Sequence, residues 1–507
     1  MTSGGSFLQK QLPWAHDASM KQDKMALFRP VLTVVAFVWI LGAMLALPPL
    51  LLAVNEGAHT TRSFVYAAAA FFIIGIWLRS RARQQRFEVS SQQLYLITVA
   101  SWSVLAVIGA IPLYAAMPQL SFCDAFFESM SGITTTGSTV LTGLDAMPHS
   151  LLLWRGLLQW VGGIGIIVIS IAILPYLRVG GMRMFSTESS DWSDKTLHHA
   201  QEFIQNIGLL YLGLTMLAMG CYWLAGMGWF DAIVHAMTTL STGGYSTHDA
   251  SMGYFNDRPL ILWFASLFML LGSLPFSLFV AFMHGKKNAL LGDSQVRGFL
   301  AFVMILILLF SIERTINSDL DFFRVLTHVA FNVISVISTT GYASDDYTQW
   351  GPYAVIIFFY IMFVGGCSGS TAGSMKFFRF QVAFILLRNQ LHLMRHPYAV
   401  IPSKYNGHVL SDDIVRSIVA FSFYFAFIIA AIALFLSLTG LDFITSLSAA
   451  ATAVTNVGPG LGDVIGPAGN FSTLPDAAKW ILCGGMLIGR LEIMTVIVIF
   501  TRTFWRT

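Results

Sequence analysis

Apolar runs long enough to cross a bilayer recur from one end of this chain to the other, and that leaves few folds open to it. Crossing the hydrocarbon as a helix takes about 20 residues. Ten spans can be read: Leu27–Val54, Ser63–Leu78, Leu94–Ala116, Ser150–Leu177, Phe203–Met227, Pro259–Met283, Gly298–Ile312, Pro352–Arg388 with an interruption, Ile414–Leu438 and Lys479–Phe504. The second and seventh are short. With 11% charged and 56% hydrophobic residues over 507 positions, too little polar surface exists to cover a soluble globule of this size. The expectation is an all-α integral membrane protein.

Lys and Arg concentrate in cytoplasmic loops, so their placement predicts orientation. Arg79–Arg86, the stretch with Arg178, Arg183 and Lys195, His284–Lys287, and the run with Arg388, Arg395 and Lys404 are basic. Between them lie connections with Asp124, Glu128 and Asp145, then Asp231, Asp249 and Asp257, then Asp319, Asp321, Asp345 and Asp346, then Asp442, Asp463 and Asp476. The basic set is expected inside and the acidic set outside, with both termini cytoplasmic. The net charge of +3 sums these two faces and gives no reason to expect nucleic acid as a partner. The N-terminal stretch with Lys10, Lys21 and Lys24 lacks the apolar core and cleavage site of a signal peptide. Cys123, Cys221, Cys367 and Cys483 are widely spaced, which suits small buried hydrophobes better than a metal or disulfide framework.

The acidic connections share one design: a half-length apolar segment, then a turn rich in glycine and hydroxyls. They run Phe122–Thr139, Phe230–Thr247, Phe323–Ser344 and Leu441–Gly460. Aligned on a glycine, the turns read Thr135-Thr136-Gly137-Ser138, Thr242-Gly243-Gly244-Tyr245, Thr339-Thr340-Gly341-Tyr342 and Asn456-Val457-Gly458-Pro459, with the glycines 107, 97 and 117 residues apart. Such a period has room for a membrane helix, a re-entrant helix, a turn and a second membrane helix. Four units of this kind can surround one axis. For any single turn the plain alternative stays open, that it merely joins two helices; four copies weigh against it.

Non-helical backbone at membrane depth must be buried in protein or line a watery cavity. A passing cation can also satisfy it, because rings of backbone carbonyls replace an ion's hydration shell, as in filters of the TVGYG type. Gly458 with its neighbours comes closest to that pattern. Glycine permits the backbone angles required, and threonine adds an oxygen without charge. Half-helices ending at such turns would aim their C-terminal carbonyls at the axis, attractive to cations. Glu128 and His235 stand nine residues before their glycines, where stabilising the half-helix is the expected role. No residue that titrates near neutral pH falls in the turns themselves, which leans toward a gated pore.

The eighth span carries a second break, Gly365 to Ser374, with Gly365, Gly366, Ser368, Gly369, Ser370, Thr371 and Gly373. Small-residue helix packing is one reading, and a mobile constriction beneath the turns is the other. Lys376 follows it and Arg490 lies deep in the last span; an intramembrane cation faces a polar interior, as a structural donor to a helix end or as part of a barrier. Arg155 and Glu492 read more weakly, as residues near an interface that snorkel. His198 and His199 beside Asp191 and Asp194 make a poor metal site. Gly162, Gly163 and Gly165 read as helix contacts, since no strand precedes them as a phosphate loop requires. No nucleophile and base pair suggests an enzyme.

Together the four turns, the break GGCSGSTAGS and the late MLIGRLEI resemble the TrkH-type subunit of bacterial Trk potassium uptake systems, within the Trk/Ktr/HKT superfamily, over roughly residues 90 to 505. The resemblance implies four covalently linked M1-P-M2 repeats, potassium-channel-like, around a pseudo-fourfold pore and preceded by two extra transmembrane helices. The divisions would be 1–90, 91–200, 201–295, 296–405 and 406–507. It further implies a homodimer in the lipid of the bacterial inner membrane, a cytoplasmic RCK-type nucleotide-binding partner, and potassium as the ion bound and carried. The turn residues would form the filter. Gly365 to Ser374, Lys376 and Arg490 would form the gate. Glycine at all four key positions goes with potassium; a sodium-permeable or proton-coupled transporter uses the same architecture. The chain departs from the pattern at Ser374, where relatives commonly carry glycine.

Overall fold

The computed structural model describes residues 13–82, 90–172 and 196–506. Among these, helices dominate, and the one sheet is a two-stranded hairpin. Seven helices are long and apolar enough to span a bilayer: Leu27–Ala53, Ala58–Arg81, Ser91–Ala116, His149–Ser170, Glu202–Leu224, Ser294–Ile316 and Asp412–Ser437. The all-α membrane architecture expected from the sequence is therefore the observed one.

Local chemistry sets several boundaries. Ser90 and Gln93 form a capping box at the start of Ser91–Ala116, which satisfies donors that a helix start leaves orphaned. Asp293 accepts from the N–H groups of Gln295 and Val296 at the start of Ser294–Ile316. Arg79 and Arg81 lie in the last turn of Ala58–Arg81, where cations complement the helix dipole. The two spans expected to be short are thus full length, at 24 and 23 residues, because polar residues at their ends extend the helices beyond the apolar run.

Two spans expected to be continuous are sharply bent. Pro259–Gly272 meets Phe276–Met283 at 91°, and Asp476–Arg490 meets Ile493–Phe500 at 113°. At the first bend Pro275 has no N–H to continue the helix. The freed carbonyls of Gly272 and Ser273 accept from Thr371 and Cys367, and the Phe276 N–H donates to Gly369. The second bend centres on Glu492, whose φ of 59° is left-handed. The interrupted span consists of Pro352–Ile361 and Phe377–Arg395.

Four shorter helices, Phe122–Ile133, Trp229–Leu240, Phe322–Ile337 and Phe443–Thr455, have 12 to 16 residues, too few to cross the hydrocarbon. Each packs between the helices before and after it. The helix starting at His149 also packs on the second short helix, Pro259–Gly272 on the third, and Asp476–Arg490 on the first. Residues from both ends of the chain accordingly share one apolar cluster, while the middle of the chain forms another.

Arg155 and Glu492 do not snorkel. Arg155 Nε lies 2.8 Å from Glu128 Oε1 and Arg379 Nη2 lies 2.8 Å from Glu492 Oε2, all four residues being buried. Each charge found an opposite charge inside the protein, which removes the reason to reach for the interface. Gly162, Gly163 and Gly165 are close-approach positions against Ile133, Ser241 and Trp102. Asp191 and Asp194, Arg178, Arg183 and Lys195 lie outside the described residues, as do the side chains of His198 and His199.

Candidate functional site

The four short helices end alike. Each C-terminus is followed by a residue with left-handed backbone: Thr135 (φ 50°), Thr242 (52°), Thr339 (59°) and Asn456 (56°). The next N–H in each turn bonds back six residues inclusive: Thr136 to Ser131 O (2.8 Å), Gly243 to Thr238 O (2.9 Å), Thr340 to Ser335 O (2.9 Å) and Val457 to Thr452 O (3.2 Å). This is a Schellman closure, normally built on glycine. A β-branched residue there costs on the order of 1–2 kcal/mol, and strain repeated at three buried threonines is the kind stored at functional sites.

One residue further, Gly137 (φ 89°), Gly244 (77°), Gly341 (82°) and Gly458 (108°) again have positive φ. Alternating hands put successive N–H groups on one side of the chain and so place the carbonyls on the other. The N–H side faces the short helices, as the bonds above show. The carbonyl side faces the neighbouring turns: a methyl group on Gly137 would strike Gly243 O, on Gly244 Thr340 O, on Gly341 Val457 O, and on Gly458 Thr136 O. Each glycine thus abuts the carbonyl just before the glycine of the next turn, and the fourth abuts the first. The sixteen turn residues singled out from the sequence are brought into one closed ring.

Side chains lock this ring in the opposite cyclic sense, each reaching back to the unit before it. Ser138 Oγ donates to Gly458 O (2.8 Å), Tyr245 Oη to Glu128 O (2.6 Å), and Tyr342 Oη lies 2.5 Å from Thr238 Oγ1. The residue after each of the first three glycines therefore reaches the preceding unit; Pro459 has no donor with which to do so. Nine residues before the glycines, Glu128 accepts from Thr139 and the Val140 N–H, His235 pairs with Ser246, and Asn332 holds Ser344. These bonds tie the first three short helices to the extended segments that leave their turns. Among the described residues no protein donor reaches the carbonyls of Thr136, Thr340 or Val457, and the buried Thr135 Oγ1 and Asn456 Oδ1 have no partner. Buried oxygens without donors call for an explanation, and a cation supplies one.

Sequence reasoning missed Gln159. Its amide donates to Gly243 O (2.6 Å) and accepts from the Tyr245 N–H (3.0 Å), bracing the second turn. The available signal was a lone amide within the apolar run LLLWRGLLQW.

The segment Gly365 to Ser374 lies against the short-helix ends. Thr371 Oγ1 donates to Leu240 O (3.1 Å) and Gly272 O (2.8 Å), while the Gly373 N–H donates to Thr339 Oγ1 (2.6 Å). A methyl on Gly373 would lie 2.6 Å from Thr455 O. Ser374 takes the left-handed conformation (φ 55°) despite its side chain, which bonds Met362 O (2.8 Å). Arg490 is buried and donates to Thr371 O (3.0 Å) and Gly162 O (3.5 Å), joining the segment to the helix starting at His149. Of the other residues named from the sequence, Gly369 meets the bend at Phe276, Ser370 Oγ bonds Cys367 O, and the Ser368 N–H bonds Gln295. The Gly365 N–H bonds Met375 O, the Phe377 N–H bonds Gly366 O, and Lys376 Nζ bonds Ala372 O. Lys376 thus closes its own segment and makes no hydrogen bond to the ring.

Above the second turn, His248 Nδ1 lies 2.5 Å from Asp145, its Nε2 lies 3.5 Å from Asp231, and its ring stacks on Tyr254 at 3.6 Å. Burial alone would lower the imidazole pKa, but the hydrogen bonds and charges of Asp231 and Asp145 outweigh it and the pKa is raised. A raised histidine stabilises the fold fully below its ordinary value, near 6.5, and that contribution is lost as pH climbs through the raised one. The melting temperature of His248→Gln should therefore fall short of the parent's below pH about 6.5 and converge on it in alkaline buffer. A constant gap would remove the titration from the account.

The TrkH family model, described as a cation transport protein, matches residues 60–506. A Trk system potassium uptake protein TrkI of Halomonas elongata is 50% identical over 498 residues, covering 97% of this chain and 99% of the relative. The potassium uptake protein TrkH of Escherichia coli (strain K12) is 35% identical over 487 residues, covering 94% and 99%. The crystal structure of the potassium transporter TrkH from Vibrio parahaemolyticus superposes with a TM-score of 0.87 at 33% identity, covering 94% of this chain and all of that one.

Proposed function

This chain belongs to the TrkH family of cation transport proteins, and on that premise we propose that it carries potassium across the cytoplasmic membrane through the ring of four turns. The closed cyclic order of the glycines and carbonyls supports this reading most strongly. Carbonyl oxygens turned toward a common centre replace the water around an ion without placing a charge there. The C-terminal ends of four half-helices add partial negative charge. In this reading Thr135 to Ser138, Thr242 to Tyr245, Thr339 to Tyr342 and Asn456 to Pro459 bind the ion. The segment Gly365 to Ser374, held by Arg490, is the gate: its bonds to Thr339 and Leu240 put it directly against the ring, and releasing the Arg490 contact to Thr371 would free it to move.

The basic connections face the cytoplasm in this account, together with both termini. The protein works as a homodimer with an RCK-type nucleotide-binding partner on that face, in keeping with relatives named as parts of a Trk system. The test is flux of potassium, rubidium, sodium and lithium through the purified protein in vesicles, with Gly137→Ser alongside. The parent should pass potassium and rubidium. The serine variant, whose side chain would meet Gly243 O, should lose at least about tenfold in potassium over sodium preference, a loss of about 1.4 kcal/mol in discrimination. Equal flux of all four ions through the parent would remove these turns as the selectivity element.

A further inference from the structure

A cavity of about 600 Å³ opens beside the far half of the interrupted span, within the range of about 300–1,000 Å³ that holds small ligands. Its walls are mainly apolar and include Phe302, Phe377 and Phe384, and Phe384 is 68% exposed, on the flank that faces away from the protein core. Lys404 and Ser294 belong to its polar part. Among the described residues the exposed Lys404 makes no ion pair, and Ser294 Oγ is buried without a hydrogen-bond partner.

The polar part is held in place by the hairpin Lys404–Tyr405 and His408–Val409. Its turn is Asn406-Gly407, both with positive φ (47° and 82°), the I′ geometry that this dipeptide favours. Asn406 accepts from the Ser294 N–H (3.0 Å) and donates to Asp293 (2.9 Å), and Tyr405 Oη donates to Gln381 (2.7 Å). Asp293 is engaged by Asn406 and by the first N–H groups of its helix, so the carboxylate bonded to the hairpin is already satisfied. An unpaired cation carried on a braced hairpin and an idle hydroxyl beside an apolar slot match an anionic head on an acyl chain.

We propose that this cavity binds an anionic phospholipid, its phosphate on Lys404 and Ser294 and one acyl chain along Phe302 and Phe384. In the orientation proposed above the lipid comes from the inner leaflet, where basic pockets between helices take anionic headgroups. The site bears on the gate segment because Val364 and Phe377, which line the cavity, flank that segment on either side and are joined to it by the bonds of Gly365 to Met375 and Phe377 to Gly366. A chain in the slot packs on both anchors at once and favours the arrangement in which the segment is bonded to Leu240, Thr339 and Arg490, which this proposal takes to be the non-conducting one.

The test uses the full chain purified in mild detergent, with phosphatidylglycerol and phosphatidylcholine as probes and native mass spectrometry as the readout. The parent should retain phosphatidylglycerol in preference to phosphatidylcholine. Lys404→Gln should weaken that retention about fivefold, the value of one basic contact at a membrane surface. Ile385 also lines the cavity, and Ile385→Trp, which adds bulk to the slot and leaves the cation, should abolish it. In vesicles, added phosphatidylglycerol should lower potassium flux through the parent and not through either variant, with the potassium over sodium preference unchanged in all three. Equal retention of both lipids, equal retention by parent and variants, or a changed oligomeric mass in Lys404→Gln, which would assign the slot to a second copy of the chain, overturns the proposal. Lipid retention is read without transport, so its failure and that of the pore reading are separable.

Discussion

Gly341→Ala and Gly244→Ala should abolish selective transport, whereas alanine at Gly458 should be the mildest of the ring substitutions. A methyl on Gly341 would overlap Val457 O and lie 2.9 Å from Pro459 Cδ; on Gly244 it would overlap Thr340 O; on Gly458 it would sit 2.7 Å from Thr136 O. These neighbours are backbone or a fixed ring, so nothing can swing aside. All three positions also have positive φ, which adds on the order of 1–2 kcal/mol of strain for an L-residue. The needed control is alanine at Gly208, Gly213 or Gly220, where a methyl meets nothing within 4 Å and helix propensity should gain up to about 1 kcal/mol. Flux and melting temperature in the same preparations check this. A Gly341→Ala protein that carries potassium with the parent's preference would sink the ring as the ion-binding element.

Loss of either partner from the Glu128 and Arg155 pair should be the most destabilising single change outside the ring. Both are buried, 2.8 Å apart, and removing one leaves the other's charge without compensation, at about 3–5 kcal/mol. Glu128 also anchors Thr139 and the Val140 N–H, and Arg155 reaches Ser246 O and stacks over Tyr245 at 4.2 Å. Glu128→Gln and Arg155→Met should each lower the melting temperature strongly. The double variant should fall well short of the sum of the two losses, because contacting residues couple. Strictly additive losses would mean that the pair does not act as a unit.

Repetition made the ring legible. No single turn identifies itself, but four glycines at similar spacing behind half-length apolar segments do, and the structure brings the same residues together. What the sequence hid was long-range. Arg155 and Glu492 look like interface residues until the fold supplies Glu128 and Arg379, which lie 27 and 113 residues away. Threonine at a left-handed helix end runs against its own preference, so the caps at Thr135, Thr242 and Thr339 could not be read from propensity. The bend after Gly272 did carry a signal in Pro275, which hydropathy averaged over. The bend at Glu492 carried none, since glutamate is an ordinary helix former. The hairpin at Asn406-Gly407 was announced by its dipeptide but masked by its brevity.

Because the ring is written once along a single polypeptide, its four sectors are free to differ. In an assembly of four identical chains a codon change in the turn alters every sector together, and an intermediate design cannot be sampled. Here Ser138, Tyr245, Tyr342 and Pro459 occupy one structural position with three chemistries. Three of them grip the preceding unit and the fourth cannot. The seam between the third and fourth sectors therefore lacks a side-chain clasp of the kind that closes the others. Selection can adjust such an aperture one quarter at a time, and the unclasped seam is where the first quarter is free to give.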